Sequence, residues 1–151
     1  MRDSHTGSFG VVGIVCLLLL KYVSLNNVPA QWLVPALVLM PMAGRWAMVY
    51  AISLYPYARP TGLGKAFKEQ ATGKHLIIAT LFTLGVAWLL IHWAGPVIML
   101  VVWGMVSGLA VFFQRRFGGF TGDTYGAVNE IAEVTVLLAM VLLNQKQWLL
   151  A

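Results

Sequence analysis

Charged residues are scarce in this sequence, and acidic residues are the scarcest of them. Of 151 residues only 10% are charged, with ten Lys and Arg against five Asp and Glu, whereas 60% are hydrophobic. Soluble domains carry roughly 25% charged residues, so a water-soluble globule of this length would have too little polar surface to cover its core. The composition therefore predicts an integral membrane protein that folds as a single bundle over residues 1–151.

Cysteine is almost absent. The one cysteine, Cys16, lies inside the first apolar run, which excludes a disulfide framework, a cysteine metal site and a redox motif. The formal charge of +5 could suggest nucleic acid, but most of the basic residues lie outside the apolar runs. A membrane surface accounts for that distribution better, and we expect no nucleic-acid partner.

Five apolar runs have, or nearly have, the length of about 20 residues that crosses a bilayer. They cover residues 9–25, 31–57, 76–93, 97–113 and 126–143. The first follows Arg2 in the manner of a signal peptide, but "SLNNVP" after it offers no small-residue cleavage site, so we expect a span. The predicted fold class is all-α, a polytopic transmembrane helix bundle of about five spans.

Basic residues concentrate at one end of the predicted bundle. If the N-terminus and the two loops after the second and fourth spans share a side, that side carries Arg2, Arg59, Lys65, Lys68, Lys74, Arg115 and Arg116. The opposite side carries Lys21 and Lys146, each near the end of a span where a lysine can snorkel. The excess of Lys and Arg on one side predicts that the chain lies in a lipid bilayer with its N-terminus on the cytoplasmic side.

Three of the five acidic residues lie in "GGFTGDTYGAVNEIAE", residues 118–133. At 100° per residue, Asp123, Gly126, Glu130 and Glu133 fall within a sector of about 80° on one helix. Glu133 lies about 15 Å along the axis from Asp123, at a depth where an unpaired charge costs at least ~2.5 kcal/mol. Something must compensate for that charge.

Two compensations are available for these carboxylates. One is a divalent cation shared with a phosphorylated substrate, as Mg²⁺ usually is. The other is an ion pair with Arg45, which lies roughly 18 Å from Tyr57 along its helix and therefore near the bilayer midplane unless Pro41 and Gly44 break that helix. An intramembrane Arg favours a functional site, so the first interpretation has the greater weight.

Glycines and basic residues flank the acidic stripe. Thr121 or Thr124 can cap the last helix, and the glycines before it allow the backbone to approach a ligand closely. The loop from Arg59 to His75 contains "GLGKAF" and "TGK", but its spacing is wrong for a phosphate-binding P-loop and His75 stands where Ser or Thr is required. We expect a flexible basic loop that contacts either lipid headgroups or a phosphate ester.

Three blocks of the sequence resemble a known family. "MRDSHTGSFGVVGIVCLLLLKYVSL", "GRWAM...YARPTGLGKAF" and "GGFTGDTYGAVNEIAEV" are similar, in this order, to the cobalamin synthases, the adenosylcobinamide-GDP ribazoletransferases. The resemblance implies a multi-pass enzyme of the bacterial or archaeal cytoplasmic membrane that uses Mg²⁺. It implies the joining of α-ribazole or its 5′-phosphate to adenosylcobinamide-GDP, with release of GMP.

The likeness is to the C-terminal part of longer family members. Their Asp-rich "DGLADTxDG"-like motif does not occur in these 151 residues. The alternatives to an enzyme are a noncatalytic half or truncated form that needs an N-terminal partner, and a small membrane transport subunit. A second copy of the chain and an upstream N-terminal polypeptide are the candidate protein partners.

The resemblance and the residue patterns both favour phosphoryl transfer, where catalysis is largely positioning and charge neutralisation. The predicted Mg²⁺ ligands are Asp3, Asp123, Glu130 and Glu133. The predicted catalytic residues, which act on the diphosphate, are Asp123, Arg45, Arg59 and Arg115. The predicted substrate-binding residues are Gly119, Thr121, Gly122, Thr124, Gly126 and Lys65.

Replacement of Asp123 by Asn tests this assignment. We expect Asp123→Asn to abolish turnover, because the amide cannot neutralise a metal ion, while the bundle still inserts in the membrane. Product formation and membrane insertion are measured on the same preparation. Normal activity in the variant would remove Asp123 from the site.

Overall fold

The computed structural model describes residues 8–58 and 63–149, and these residues are helical apart from short connections. The helices are α1 (Ser8–Asn27), α2 (Ala30–Leu54), α3 (Leu63–Gln70), α4 (Gly73–Ile91), α5 (Ala94–Phe117) and α6 (Gly122–Leu149). Within these described residues, every helix except α3 is long and apolar enough to cross a membrane. The prediction of an all-α bundle with five candidate spans is confirmed.

Successive spans alternate in direction, so α1, α4 and α6 run one way and α2 and α5 run the other. One end of the bundle therefore gathers residues 55–58, 63–75 and 115–124, which we call the basic end. Asp3 and Arg59 lie outside the described residues.

Helix α3 corrects the expectation of a flexible loop between the second and third spans. Its eight residues, "LGKAFKEQ", include good helix formers. Lys68 Nζ donates hydrogen bonds to the carbonyl oxygens of Ile52 and Ser53, at 2.8 and 2.9 Å. These carbonyls belong to the last turn of α2, where no further backbone N–H is available, so Lys68 satisfies them and docks α3 across the end of the span.

The centre of the bundle is the contact between α2 and α6. Ala43 and Ala47 of α2 and Val128 and Ala132 of α6 are fully buried. Small residues let two helix backbones approach closely, which is how membrane helices gain packing without a hydrophobic driving force. Helix α2 runs through Pro41 without a break, as membrane helices tolerate when neighbouring helices support them.

The turn between α4 and α5 is so tight that it depends on Gly95. His92 has a φ of 48°, and Gly95 N donates to His92 O at 3.1 Å. A Cβ on Gly95 would overlap the backbone carbonyl of Ala87. The turn therefore has no space for any side chain at this position.

We expect Gly95→Ala to destabilise the bundle by about 1–3 kcal/mol, since backbone atoms must move to admit the methyl group. Gly85→Ala is the matched control in α4, because its Cβ would meet no atom within 4 Å. Unfolding in mixed micelles, followed by circular dichroism, measures both. Equal stability of the two variants would contradict the packing described for this turn.

Candidate functional site

A backbone junction joins two loop segments at the basic end. Ala58 N donates to Phe120 O at 2.7 Å, and Phe120 N donates to Pro56 O at 2.9 Å, which forms a parallel bridge between Tyr57 and Phe120. Gly119 has a φ of 151°, and a Cβ there would lie 2.6 Å from Pro56 O. Only glycine fits this position, and it fixes the segment before Arg59 against the glycine-rich turn.

Stacked aromatic rings also stabilise the junction. Phe120 is fully buried and stacks on Tyr125 with 5.1 Å between ring centroids, and Tyr125 stacks on Tyr57 at 6.3 Å. Gly64 of α3 lies directly against the Tyr57 ring, with no room for a Cβ. The rings therefore tie three elements, α3, the residues after α2 and the start of α6, into one rigid platform.

Helix α6 begins with a reciprocal cap. Thr121 N donates to Thr124 Oγ1 at 2.7 Å, and Thr124 N donates to Thr121 Oγ1 at 3.4 Å. The predicted capping role of these threonines is confirmed, with Thr121 at the cap and Thr124 three residues later. Asp123 is exposed in the first turn, where the helix dipole stabilises a carboxylate.

Deeper in the bundle, one lysine bridges two glutamates. Lys21 Nζ of α1 lies 2.6 Å from both Glu130 Oε2 and Glu133 Oε2. Asn129 Nδ2 donates to Glu133 Oε1 at 2.8 Å and to Glu130 Oε1 at 3.3 Å. The side chains of Lys21 and Glu133 are 14% and 10% exposed, against 42% for Glu130. These four residues form the Lys21 cluster, which satisfies every carboxylate oxygen of the pair.

Gly44 of α2 makes room for the Lys21 cluster. A Cβ on Gly44 would lie 2.8 Å from Asn129 Oδ1 and 2.9 Å from Glu133 Cγ. Asn129 Oδ1 is buried and makes no hydrogen bond within the described part of the chain. The polar side chains of α6 therefore occupy a notch in α2 that exists because residue 44 has no side chain.

The alternative of an ion pair between Arg45 and these carboxylates is wrong. Gly44 faces α6, so the next residue, about 100° further round the helix, faces outward. Arg45 is exposed, and its Nη1 contacts Met48 Sδ at 3.6 Å. Lys21 supplies the positive charge instead.

The sequence interpretation missed Lys21 and Asn129. Lys21 carried one signal, a charge within an otherwise apolar run, and it was interpreted as a snorkelling side chain. Asn129 carried another, because it lies four residues before Glu133 and hence on the same helix face. The alignment of Glu130 and Glu133 in one stripe was predicted, and their shared partner confirms it.

Other predicted site residues lie at the basic end without converging on the Lys21 cluster. Arg115 lines an open groove of about 390 Å³ with Gly108, Val111, Phe112 and Arg116, all on α5. Gly126 is exposed one turn after Asp123, and Lys65 belongs to α3. Burial lowers the pKa of the neighbouring Lys68, whose ammonium is already engaged by α2 carbonyls.

A Mg²⁺ site composed of this chain's carboxylates stays a prediction. Among residues 8–58 and 63–149, no three His, Cys, Asp or Glu side chains come together in a way that could hold a metal ion. Glu130 and Glu133 share an ammonium, and Asp123 lies two to three turns away along α6. A Mg²⁺ ion bound by the described residues would therefore have a single carboxylate of this chain as a ligand, and its other ligands would come from elsewhere.

We expect Gly44→Ala to destabilise the bundle by about 1–3 kcal/mol, because the methyl group displaces Asn129 and Glu133 from their hydrogen bonds. Gly104→Ala of α5 is the matched control, since its Cβ meets no atom within 4 Å. Unfolding in mixed micelles measures both. A Gly44→Ala variant as stable as the control would mean that the cluster adapts without cost.

Known proteins resemble this chain over nearly all of its length. The family model for cobalamin-5-phosphate synthase matches residues 1–141. Three relatives are named adenosylcobinamide-GDP ribazoletransferase. The protein of Desulforamulus reducens is 39% identical to this chain over 146 residues. Those of a Roseiflexus species and of Syntrophobacter fumaroxidans are 40% identical over 142 residues and 38% identical over 140 residues. These matches cover 97%, 94% and 92% of this chain and 58%, 53% and 56% of the relatives.

No solved structure matches the chain. The chain spans about half the length of the curated relatives it matches. The three blocks that carried the resemblance all lie within the matched residues. The chain therefore belongs to the cobalamin-5-phosphate synthase family.

Proposed function

We propose that this chain takes part in the transfer that joins α-ribazole, or its 5′-phosphate, to adenosylcobinamide-GDP with release of GMP. The relatives named adenosylcobinamide-GDP ribazoletransferase support the reaction class. The distribution of Lys and Arg supports a cytoplasmic location for the basic end. The cytoplasmic membrane of a bacterium or archaeon is the location that the resemblance to the family implies.

The observation that carries the proposal is the backbone junction at the basic end. It holds together the "YARP" segment and the "GGFTGD" turn, through hydrogen bonds of Ala58 and Phe120. Phosphoryl transfer needs a diphosphate held against fixed positive charge and backbone N–H groups. The junction brings the start of α6, with its N–H groups, next to the segment that leads to Arg59.

Individual residues take the following parts in this proposal. Gly119 and Gly122 let the backbone approach a phosphate, and the Thr121–Thr124 cap keeps the turn rigid. Arg115, Arg59 and Lys65 supply positive charge. Arg45, on the outer face of α2, is the weakest member of the predicted catalytic set. Asp123 is the carboxylate best placed to accept a proton or a metal ion beside a bound diphosphate.

Mg²⁺ is the ion we propose for this reaction, because one or two carboxylates together with substrate phosphates are its usual protein ligands. Asp123 fits that donor set, and Asp3 lies outside the described residues. When bound, the ion would neutralise charge on the diphosphate. A divalent site with more carboxylates needs residues beyond those described.

This chain covers only about half of the length of its relatives, which leads to a second part of the proposal. We propose that the complete site also needs the region present in the relatives and not matched here, supplied within one polypeptide, by a separate partner or by a second copy. The Lys21 cluster supports this, since two of the four predicted metal ligands already have a cationic partner.

A transfer assay in nanodiscs tests the proposal. Mg²⁺, adenosylcobinamide-GDP and α-ribazole 5′-phosphate are supplied to the 151-residue chain and to a fusion that carries the upstream region of the Desulforamulus reducens relative. We expect GMP and the joined product, detected by mass spectrometry, from the fusion alone. The matched control is the same fusion with Asp123→Asn.

Product from the 151 residues alone would mean that their own carboxylates suffice, and the second part of the proposal would fall. If neither protein forms product while the intact relative does, this chain does not carry the transfer function.

A further inference from the structure

We propose that Lys21 is the resident cation of the Glu130–Glu133 pair, and that its ammonium holds the place a metal ion would need between these carboxylates. It thereby acts as a positioning residue that fixes α1 against α6. The inference rests on the proposed function only in its expectation that a divalent ion binds elsewhere in the site.

Lys21 occupies the position between the two carboxylates. Glu130 Oε2 and Glu133 Oε2 converge on a single point, and Lys21 Nζ lies at that point, 2.6 Å from each. The remaining oxygens of both carboxylates face the Asn129 amide. A metal ion that used the pair would have to displace an ammonium with two charge-assisted hydrogen bonds.

Lys21 and the two glutamates also lie at compatible depths in the bundle. Lys21 lies thirteen residues after the start of α1, or about 20 Å along the axis, and Glu130 and Glu133 lie about 12 and 16 Å into α6. Helices α1 and α6 run in the same direction. A long side chain on a helix leans toward its own N-terminus, so the Lys21 ammonium reaches the level of the carboxylates.

Helix α1 makes few other contacts that would fix its orientation. Most of its large apolar side chains, among them Val12, Ile14, Leu18 and Tyr22, are exposed. Such side chains are equally satisfied by lipid and give no preferred orientation. The pairing of Lys21 with α6 therefore sets the rotation of α1, and the same contact sets the rotamers of Glu130 and Glu133.

The inference separates two roles within the predicted carboxylate stripe. Asp123, at the basic end, is the carboxylate that the proposed function assigns to an exchangeable ion. Glu130 and Glu133, two to three turns deeper, are partners of a permanent cation. Loss of Lys21 should uncover a site that accepts a divalent ion. Removal of the charges of Lys21, Glu130 and Glu133 together should leave a neutral cluster that the folded bundle can bury.

The experiment is a Mn²⁺ titration followed by electron paramagnetic resonance, on the purified chain in nanodiscs and without substrate. The variants are Lys21→Met, the triple variant Lys21→Met/Glu130→Gln/Glu133→Gln, and Lys21→Arg. Lys74→Met is the matched control, since Lys74 is an exposed lysine at the start of α4. Thermal unfolding is measured on the same samples.

We expect the wild type, the triple variant and Lys74→Met to bind Mn²⁺ alike, and Lys21→Met to bind an additional Mn²⁺ per chain. We expect Lys21→Met to lower the unfolding midpoint by about 10 °C, because it leaves buried carboxylates without a cation. The triple variant and Lys21→Arg should recover most of that loss.

Two results would overturn the inference. One is Mn²⁺ binding by the wild type that the triple variant abolishes, which would make the glutamates metal ligands. The other is a Lys21→Met variant that matches the wild type in both Mn²⁺ binding and stability. Neither readout uses the transfer reaction, so failure here is distinct from failure of the proposed function.

Discussion

A charge placed inside a bilayer must have a partner within reach, and much of this fold follows from how that requirement is met. Two glutamates of α6 lie below the end of the bundle, and α1 supplies the ammonium that they share. The pairing requires α1 and α6 to be neighbours. It also requires a notch in α2, which Gly44 provides. Three helices are thus positioned by one electrostatic need.

A second tie lies about three helical turns away along the chain, and it is of a different kind. At the basic end the chain uses backbone hydrogen bonds between residues 56–58 and Phe120, with stacked aromatic rings beneath them. Helix α6 takes part in both ties. Its first turn is therefore held at the loops and its third turn is held at the membrane interior, which leaves Asp123 on a stretch of helix with little freedom to tilt.

The sequence predicted what depends on local pattern. The spans followed from apolar runs of the right length, the start of α6 from Thr121 and Thr124, and the alignment of Glu130 with Glu133 from the 100° periodicity. It did not predict α3, because so short a helix depends on a tertiary contact for its stability. That contact is the pair of hydrogen bonds from Lys68 to carbonyl oxygens of α2. It named Arg45 instead of Lys21 as the candidate partner of the carboxylates. The face of α2 that is buried depends on where its small residues pack against α6, and the sequence of α2 alone does not show this. Lys21 and Glu130 are 109 residues apart, and nothing local links them.

That separation has a consequence for how the protein is made. Ribosomes add about 5–20 residues per second, so α1 emerges some 5–20 s before Glu130 is synthesised. During that interval Lys21 lies in the membrane without its carboxylates and must rely on water and headgroups, toward which its flexible chain can extend. Among the described helices α1 is synthesised before α6, so the contact that neutralises Lys21, Glu130 and Glu133 can form only after α6 has inserted.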